Sequence, residues 1–314
     1  MKNTVQSPAD YIAPLVINGL HGRVMHLPAT KRSANREILL LYGHHSALER
    51  MFGIAQNLSQ YGSVTMPDLP GFGGMDSFYL LREKPSLDNM ADYLATFIKL
   101  RFKKRPITIG GMSYGFIIVA RMLQKYPELS QQVNLLISMV GFMHHDDFKL
   151  SKRKQLVYLT TARLFSGAIG STIVRYTALL PFVLKTIYRV QANSHPKMKG
   201  ASPEELNKRL DFEVFLWHAN DVRTYMFTSA TLLTVDITNI KVDLPVVHVA
   251  VDADQYFDNR HVKKHLRQVF TTVTTFKAHM ENHAPTVISD AKEAGQFIPK
   301  ELRKLLAKKP QARK

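Results

Sequence analysis

The chain is organised around one stretch, Ile107-Thr108-Ile109-Gly110-Gly111-Met112-Ser113-Tyr114-Gly115-Phe116-Ile117-Ile118-Val119-Ala120. The apolar residues before the glycines predict a short buried strand, and apolar spacing that continues to Leu123 predicts a helix. Ser113 lies at the turn between them, where so sharp a reversal requires a positive φ that most residues avoid. Gly111 and Gly115 flank it and lack the Cβ atoms that would collide there.

Such a turn holds the Ser113 hydroxyl clear of the sheet, beside the free N–H groups of the helix N-terminus. Strand, Gly-x-Ser-x-Gly and helix together are the pattern of a nucleophile elbow. On these residues the chain resembles the α/β-hydrolase family. The resemblance implies an α/β fold with a mostly parallel central sheet, helices on both faces, an inserted α-helical cap, and serine hydrolase activity.

Other segments fit a sheet of this kind. Apolar runs at 37–42, 63–66, 133–140 and 244–251 predict strands, and helical spacing separates them. The alternation of strand and helix is typical of a parallel sheet with right-handed crossovers. Near the start, Asn18-Gly19 between two short apolar segments predicts an antiparallel hairpin at the sheet edge. The loop Pro67–Gly74 resembles the D-x-P-G-x-G turn of the same family.

The strand pattern stops between Gly141 and Asp236, where the spacing is helical throughout. The resemblance implies that this segment is the cap. We therefore predict a core formed by residues 1–141 and 236–314, a helical cap or lid at 142–235, and a basic C-terminal tail at 300–314.

Composition excludes several classes of protein. With no cysteine among 314 residues, the chain has no disulfide, no thiol nucleophile and no cysteine-based zinc site. The first ten residues lack the apolar segment and the cleavage site of a signal peptide. No uncharged run reaches the roughly 18 residues that a membrane span needs. These features predict a soluble, cytoplasmic protein.

The formal charge of +17 is unevenly distributed. Residues 149–209 hold 12 Lys/Arg against two Glu, a net charge of +10, and the tail 300–314 holds seven Lys/Arg against one Glu, a net charge of +6. The remainder is almost neutral, which argues against a protein that follows a phosphate backbone, and we predict no nucleic-acid partner. Solvated basic surfaces are the simplest interpretation; weak contact of cap and tail with an anionic membrane surface is the alternative.

The resemblance also implies a catalytic triad in the order Ser, Asp, His. Ser113 is the nucleophile. The acid follows the strand after the cap, and alignment from Pro245 places it at Asp254, although Val251 stands where the family usually has glycine. Asp252 and Asp258 are rivals; Asp258 better fits a helix cap. A less common variant would take the acid from Asp146 or Asp147.

The base is expected in the loop after the last strand, where His279 and His283 compete. His283-Ala284-Pro285 resembles the family's H-A-P ending, so His283 is assigned as the base and His279 as a pocket residue. The oxyanion hole would use the backbone amide of Tyr114, after the nucleophile, and that of His44, after Gly43. Tyr42 stands where the family frequently has histidine.

Two further histidine pairs suggest metal ligands. His44-His45 are adjacent, so their rings point apart, and His45 is assigned to a pocket wall. His144-His145-Asp146-Asp147 lacks the helical spacing that directs ligands to one ion, and His144 is assigned to a substrate-facing or hinge position. No metal and no cofactor are predicted.

The leading hypothesis is a serine hydrolase that acts on a hydrophobic ester, of the carboxylesterase or lipase type, through an acyl-enzyme. The same triad could instead hydrolyse an amide, a lactone or a carbon–carbon bond, or transfer an acyl group, because one fold hosts many chemistries. A binding protein without turnover is the third hypothesis, which the ordered triad disfavours.

Overall fold

The computed structural model describes residues 7–191, 198, 201–252, 254–278 and 294–309. Eight strands form one sheet in the order β1-β2-β4-β3-β5-β6-β7-β8. The strands are β1 Ile12–Ile17, β2 Leu20–Leu27, β3 Arg36–Leu41, β4 Gly62–Pro67, β5 Ile107–Met112, β6 Val133–Met139, β7 Val242–Val251 and β8 Phe270–Ala278.

Helices connect most of these strands. The α-helices are α1 Phe52–Leu58, α2 Leu87–Arg101, α3 Tyr114–Lys125, α4 Lys152–Phe165, α5 Ala168–Tyr176, α6 Pro181–Val190, α7 Pro203–Ala219, α8 Val222–Leu232, α9 Asn259–Val269 and α10 Lys300–Ala307. Short 3-10 helices are Pro8–Tyr11, Leu48–Met51, Phe78–Leu81, Pro127–Gln132, His145–Asp147 and Gly295–Phe297.

The predicted hairpin is present at the sheet edge. β1 pairs antiparallel with β2, and the turn residues Asn18 and Gly19 have φ of 51° and 77°. Two positive φ values define the turn type that suits the twist of a hairpin, and Asn-Gly favours it. β2 in turn pairs antiparallel with β4, and every later pairing in the sheet is parallel.

The central strands are covered on both faces. All six residues of β5 are buried, as are the last four residues of β3. Helices α2 and α3 pack against one another beside β5, and Ser86 caps α2 through the Asn89 amide at 3.1 Å. Burial on both faces explains why the strands read as continuous apolar runs.

Among the described residues, five helices, α4 to α8, lie between β6 and β7, in the segment predicted to be the cap. The corner between α7 and α8 lies on the loop that follows β4. The amide of Gly74 donates to Ala219 O at 2.7 Å, and the amide of Asp221 donates to Gly71 O at 2.8 Å. Because that loop leaves the carboxyl end of a parallel strand, the helical insertion covers the carboxyl edge of the sheet.

The C-terminal helix lies at the other edge. Arg36, the first residue of β3, donates to the carbonyl oxygens of Leu306 at 2.8 Å, Leu305 at 3.2 Å and Lys308 at 2.6 Å. Since β3 begins there, the described part of the basic tail sits at the amino edge of the sheet. The two basic segments are thus at opposite edges. Within the described ranges, no helix is long and apolar enough to cross a membrane.

Candidate active site

Ser113 occupies a sharp turn between β5 and α3. Its φ of 48° and ψ of −115° lie in a region that L residues rarely adopt. A Cβ on Gly111 would lie 2.6 Å from Phe116 Cα, and one on Gly115 would lie 2.5 Å from Tyr42 O. Only glycine fits both positions, because the obstructing atoms are backbone. The Ser113 amide donates to Met139 O of β6 at 2.9 Å, which fixes the turn to the sheet.

The loop after β3 passes directly beside this serine. A Cβ on Gly43 would lie 3.3 Å from Ser113 Cβ, so glycine lets the two segments approach closely. His44 follows Gly43 and thus enters the loop at the serine. On the other side, Tyr114 is the first residue of α3, where an amide has no intrahelical acceptor. The two residues predicted to donate amides therefore flank Ser113.

The His44 ring lies among aromatic side chains from three parts of the chain. It stacks on Tyr225 of α8 with ring centres 4.6 Å apart, and it meets Phe72 and Tyr114 edge-on at 5.5 and 5.6 Å. Its Nε2 is 2.8 Å from Thr228 Oγ1, also on α8. The insertion thus contributes directly to the surroundings of the loop beside Ser113.

Asp254 lies just beyond the end of β7 and is buried, with 3% of its surface exposed. Its Oδ1 accepts hydrogen bonds from the amides of Tyr256 at 2.8 Å and Phe257 at 3.1 Å. Lys149 Nζ donates to the Asp254 carbonyl at 2.7 Å. These bonds fix the direction of the carboxyl group, which follows a strand two places from β5 in the sheet.

The carboxylates that compete with Asp254 have other contacts. Asp258 caps α9 by accepting from the Arg260 amide at 2.8 Å, as its position in sequence predicts. Asp252 Oδ1 lies 3.0 Å from Lys277 Nζ at the surface.

The two aspartates before α4, Asp146 and Asp147, differ in their surroundings. Asp147 is fully buried; it accepts from the amides of Met143 and His144 at 3.0 and 3.1 Å and lies 2.6 Å from His265 Nδ1. Asp146 is exposed. The predicted base, His283, and the pocket candidate, His279, lie outside the described residues, so both assignments stay predictions from sequence.

His45 is buried beneath the insertion. Its Nε2 lies 3.3 Å from Glu213 Oε2 of α7, and its ring centre is 4.3 Å from that of Trp217. Arg50 connects the same groups, because it donates to His45 O at 2.9 Å and to Glu213 Oε1 at 2.7 Å. We call His45, Arg50, Glu213, Tyr188 and Trp217 the core–cap cluster.

The remaining members complete this cluster. The Tyr188 hydroxyl of α6 donates to Glu213 Oε2 at 3.3 Å, and Trp217 Nε1 donates to Tyr188 Oη at 3.2 Å. Burial, and secondarily the Glu213 carboxylate, raise the pKa of Tyr188. Burial also raises the pKa of Tyr225, next to the cluster, to about 12. Both phenols therefore remain neutral at physiological pH.

His144 lies at the base of the insertion. It stacks on His145 with ring centres 4.1 Å apart and meets His265 at 4.8 Å. Burial and the neighbouring His145 lower its pKa. Despite their spacing in sequence, the ligand atoms of His144, His145 and Asp146 come within 4.8 Å of one another, close enough to hold a metal ion.

The hydrogen bonds of His144 oppose that use. Its Nδ1 accepts from the Asp146 amide at 3.0 Å, so Nε2 carries the proton of the neutral ring and faces Asp236 Oδ2 at 3.7 Å. Metal binding through Nε2 would require the proton to move and the cap of the following 3-10 helix to break.

Tyr42, at the position where the resemblance led us to expect histidine, supports the loop after β4. Its hydroxyl donates to Asp68 Oδ1 at 3.0 Å and accepts from the Leu69 amide at 2.7 Å. Arg23 Nε donates to Asp68 Oδ2 at 2.8 Å. Asp68 thus organises the loop on which α7 and α8 rest.

Sequence reasoning overlooked several of these groups. Glu213 carried a usable signal, since it lies between the apolar positions Leu210 and Leu216 at helical spacing, where a charge requires a buried partner. His248 of β7 carried no such signal in the sequence. It is buried with its Nδ1 2.9 Å from Ser138 Oγ, and burial lowers its pKa to about 4.

Neither a protein-family model nor a curated protein sequence matches the chain. Solved structures do. An α/β hydrolase from a Medee basin deep-sea metagenome library matches with a TM-score of 0.60 and 13% identity, over 91% of this chain and 96% of that one. The enol-lactonase of Burkholderia xenovorans LB400 matches with a TM-score of 0.61 and 14% identity, over 91% of this chain and 96% of that one. A membrane phospholipase A, described as a bacterial virulence factor, matches with a TM-score of 0.62 and 16% identity, over 94% of this chain and 86% of that one.

The sheet order, the turn at Ser113 and these likenesses agree on one class of protein: the chain has the α/β-hydrolase fold. At identities this low the likeness defines the fold and leaves the activity open.

Proposed function

We propose that this protein is a serine hydrolase in which Ser113, His283 and Asp254 form the triad. The observation that carries the proposal is the backbone of Ser113, whose φ is 48° and which lies between Gly111 and Gly115, two positions where backbone atoms leave no room for a side chain. Strain of this kind costs about 1–3 kcal/mol and persists where function requires it. Asp254, buried and oriented after β7, supports the assignment of the acid.

The reaction would proceed in two steps. Ser113 Oγ attacks the carbonyl carbon while His283 takes its proton, and Asp254 orients the ring and stabilises its cation. The tetrahedral oxyanion is bound by the amides of His44 and Tyr114, each worth about 10²–10³ in rate. The intermediate collapses, the carbon–oxygen bond of the ester breaks, and His283 returns the proton to the leaving alkoxide. Water then attacks the acyl-enzyme by the same route and releases the acid.

The aromatic wall beside Ser113 favours a hydrophobic ester. Phe72, Tyr114 and Tyr225 surround the loop that carries His44. An apolar acyl or alkyl group would gain about 25 cal/mol for each Å² removed from water there. Hydrolysis of an amide, a lactone or a carbon–carbon bond, or acyl transfer, is the alternative reaction of the same triad, and a panel of substrates and acyl acceptors would separate these reactions.

Labelling with a fluorophosphonate, followed by intact-mass analysis, tests the assignment. We expect one adduct on the wild type, none on Ser113→Ala, and an unchanged adduct on the control Ser166→Ala, whose hydroxyl donates to Arg163 O in the insertion. Loss of the nucleophile should lower kcat on a good ester by about 10⁶-fold. An adduct that persists on Ser113→Ala would refute the nucleophile, and a folded wild type without adduct or esterase activity would favour a binding protein.

A further inference from the structure

The outer helices of the insertion expose an unusual amount of apolar surface. Ile169 of α5 is 80% exposed, Phe182 of α6 is 70% exposed and Val190 of α6 is 82% exposed. Six more large apolar side chains on these helices and α4 are at least half exposed: Leu156, Val157, Tyr158, Leu164, Ile173 and Tyr176. Scattered apolar residues are ordinary on a protein surface, but a set gathered on three successive helices marks a docking surface.

On α5 and α6 the exposed apolar residues form stripes with helical spacing. On α5 the stripe is Ile169, Ile173 and Tyr176, and on α6 it joins Phe182 to Val190. The inward positions of the same helices are filled by Ser171 and Leu184, which are buried. Both α4 and α5 pack on α8, and α6 packs on α7, so the sides of α4, α5 and α6 that point away from these two helices face outward. We call the outward side of α4, α5 and α6 the cap face.

The charged residues of the segment that contains α4, α5 and α6 are all basic. Residues 149–191 contain eight Lys/Arg and no Asp or Glu. Lys152, Arg153 and Lys154 are exposed together in the first turn of α4, where cations also oppose the helix dipole. Helix stability does not explain three cations there, so a negatively charged partner is the better explanation.

We propose that the cap face docks on an anionic lipid bilayer, and, resting on the proposed function, that the ester substrate is taken from that lipid phase. Apolar stripes flanked by cations fit a lipid surface, because side chains enter the acyl boundary while Lys and Arg remain at the phosphates. A second copy of this chain fits the apolar stripes but brings eight more cations against the first eight, which opposes self-association.

Flotation of the protein with vesicles tests the docking surface. Vesicles of equal parts phosphatidylglycerol and phosphatidylcholine should bind the wild type, and vesicles of phosphatidylcholine alone should bind it far more weakly. The variant Ile169→Ser/Phe182→Ser/Val190→Ser should lose binding, and it should fold because all three side chains are exposed. Leu100→Ser, at an equally exposed apolar residue on α2, should bind as the wild type does.

Charge reversal gives a second, matched comparison. Lys152→Glu/Arg153→Glu/Lys154→Glu should weaken binding by at least about fivefold for each cation, because each is worth about 1 kcal/mol near an anionic surface. Lys304→Glu/Lys308→Glu/Lys309→Glu changes the net charge equally but alters the exposed tail at the opposite edge, and it should bind almost normally. Raising NaCl to about 1 M, where the Debye length falls to about 3 Å, should release much of the protein.

Three outcomes would overturn the proposal: no binding to anionic vesicles, equal loss from the cap and tail reversals, or a concentration-dependent dimer that the three Ser substitutions abolish. The last would assign the cap face to a second copy. Ser113→Ala should still bind vesicles, so failure of the proposed chemistry leaves the docking test intact. Conversely, cap-face variants should hydrolyse a soluble short-chain ester at the wild-type rate and lose activity only on vesicle-borne esters.

Discussion

Glu213→Ala is the most informative perturbation of the core–cap cluster. Glu213 of α7 and Arg50 of the core are 1% and 4% exposed as side chains, and their charged atoms are 2.7 Å apart. Removal of one partner of a buried pair leaves the other charge without compensation, which costs about 3–5 kcal/mol. Because Arg50 also donates to His45 O at 2.9 Å, the substitution should disturb the loop that carries His44.

Urea unfolding measured by two probes tests this. Trp217, the only tryptophan, lies in the cluster and reports it by fluorescence, while far-UV circular dichroism reports the whole chain. We expect Glu213→Ala to lower the free energy of unfolding by about 3–5 kcal/mol. Ester hydrolysis should slow by up to about 10²-fold, since misplacement of a catalytic loop by about 1 Å has that effect.

A neighbouring ion pair is the matched control. Asp211, also on α7, contacts Lys185 of α6 at 2.6 Å, but the two side chains are 65% and 37% exposed. Asp211→Ala should therefore cost at most about 1 kcal/mol. Arg50→Met/Glu213→Leu should recover most of the lost stability, because an apolar pair removes both desolvation costs. If Glu213→Ala costs no more than Asp211→Ala, the cluster does not hold insertion and core together.

Three further predictions concern the elbow and the sheet. Ser113→Gly should abolish hydrolysis yet raise the free energy of unfolding by about 1 kcal/mol, since it relieves the positive φ; a destabilised variant would contradict the strain. Gly111→Ala should destabilise by about 1–3 kcal/mol because its Cβ meets backbone, whereas Gly167→Ala, whose Cβ meets no atom of the described residues within 4 Å, should be almost neutral in the same urea assay. Burial holds the pKa of His248 at about 4, so the unfolded chain binds a proton that the folded chain excludes, and stability falls as the pH drops from the ordinary value of 6.5 towards 4. Between pH 7 and pH 5 this loss should reach about 2 kcal/mol and should shrink in His248→Gln; equal slopes for both proteins would refute it.

Much of the fold could be read from the sequence because it rests on local signals. The elbow requires glycine on either side of Ser113, the hairpin requires positive φ at Asn18-Gly19, and buried parallel strands require uninterrupted apolar runs. Each signal spans a few residues, and the structure contains every one of these elements.

The candidate triad could be assigned only in part from local signals. Ser113 was assigned from its own turn, and Asp254 from the resemblance aligned from Pro245. The structure describes the surroundings of both, His283 lies outside the described residues, and all three catalytic roles stay proposals. The competing acids could not be dismissed from sequence, because their contacts are distant in the chain: Asp147 meets His265, and Asp252 meets Lys277.

The sequence by itself therefore determined the individual strands and the hairpin, the strained turn at Ser113, the helical insertion and the uneven distribution of charge along the chain. The tertiary structure alone decided that Arg50 and Glu213, 163 residues apart, share one buried cluster, and that the two basic segments lie at opposite edges of the sheet. The physical reason is that backbone conformation and apolar periodicity are encoded by near neighbours, whereas ion pairs and surfaces form only where packing brings distant residues together.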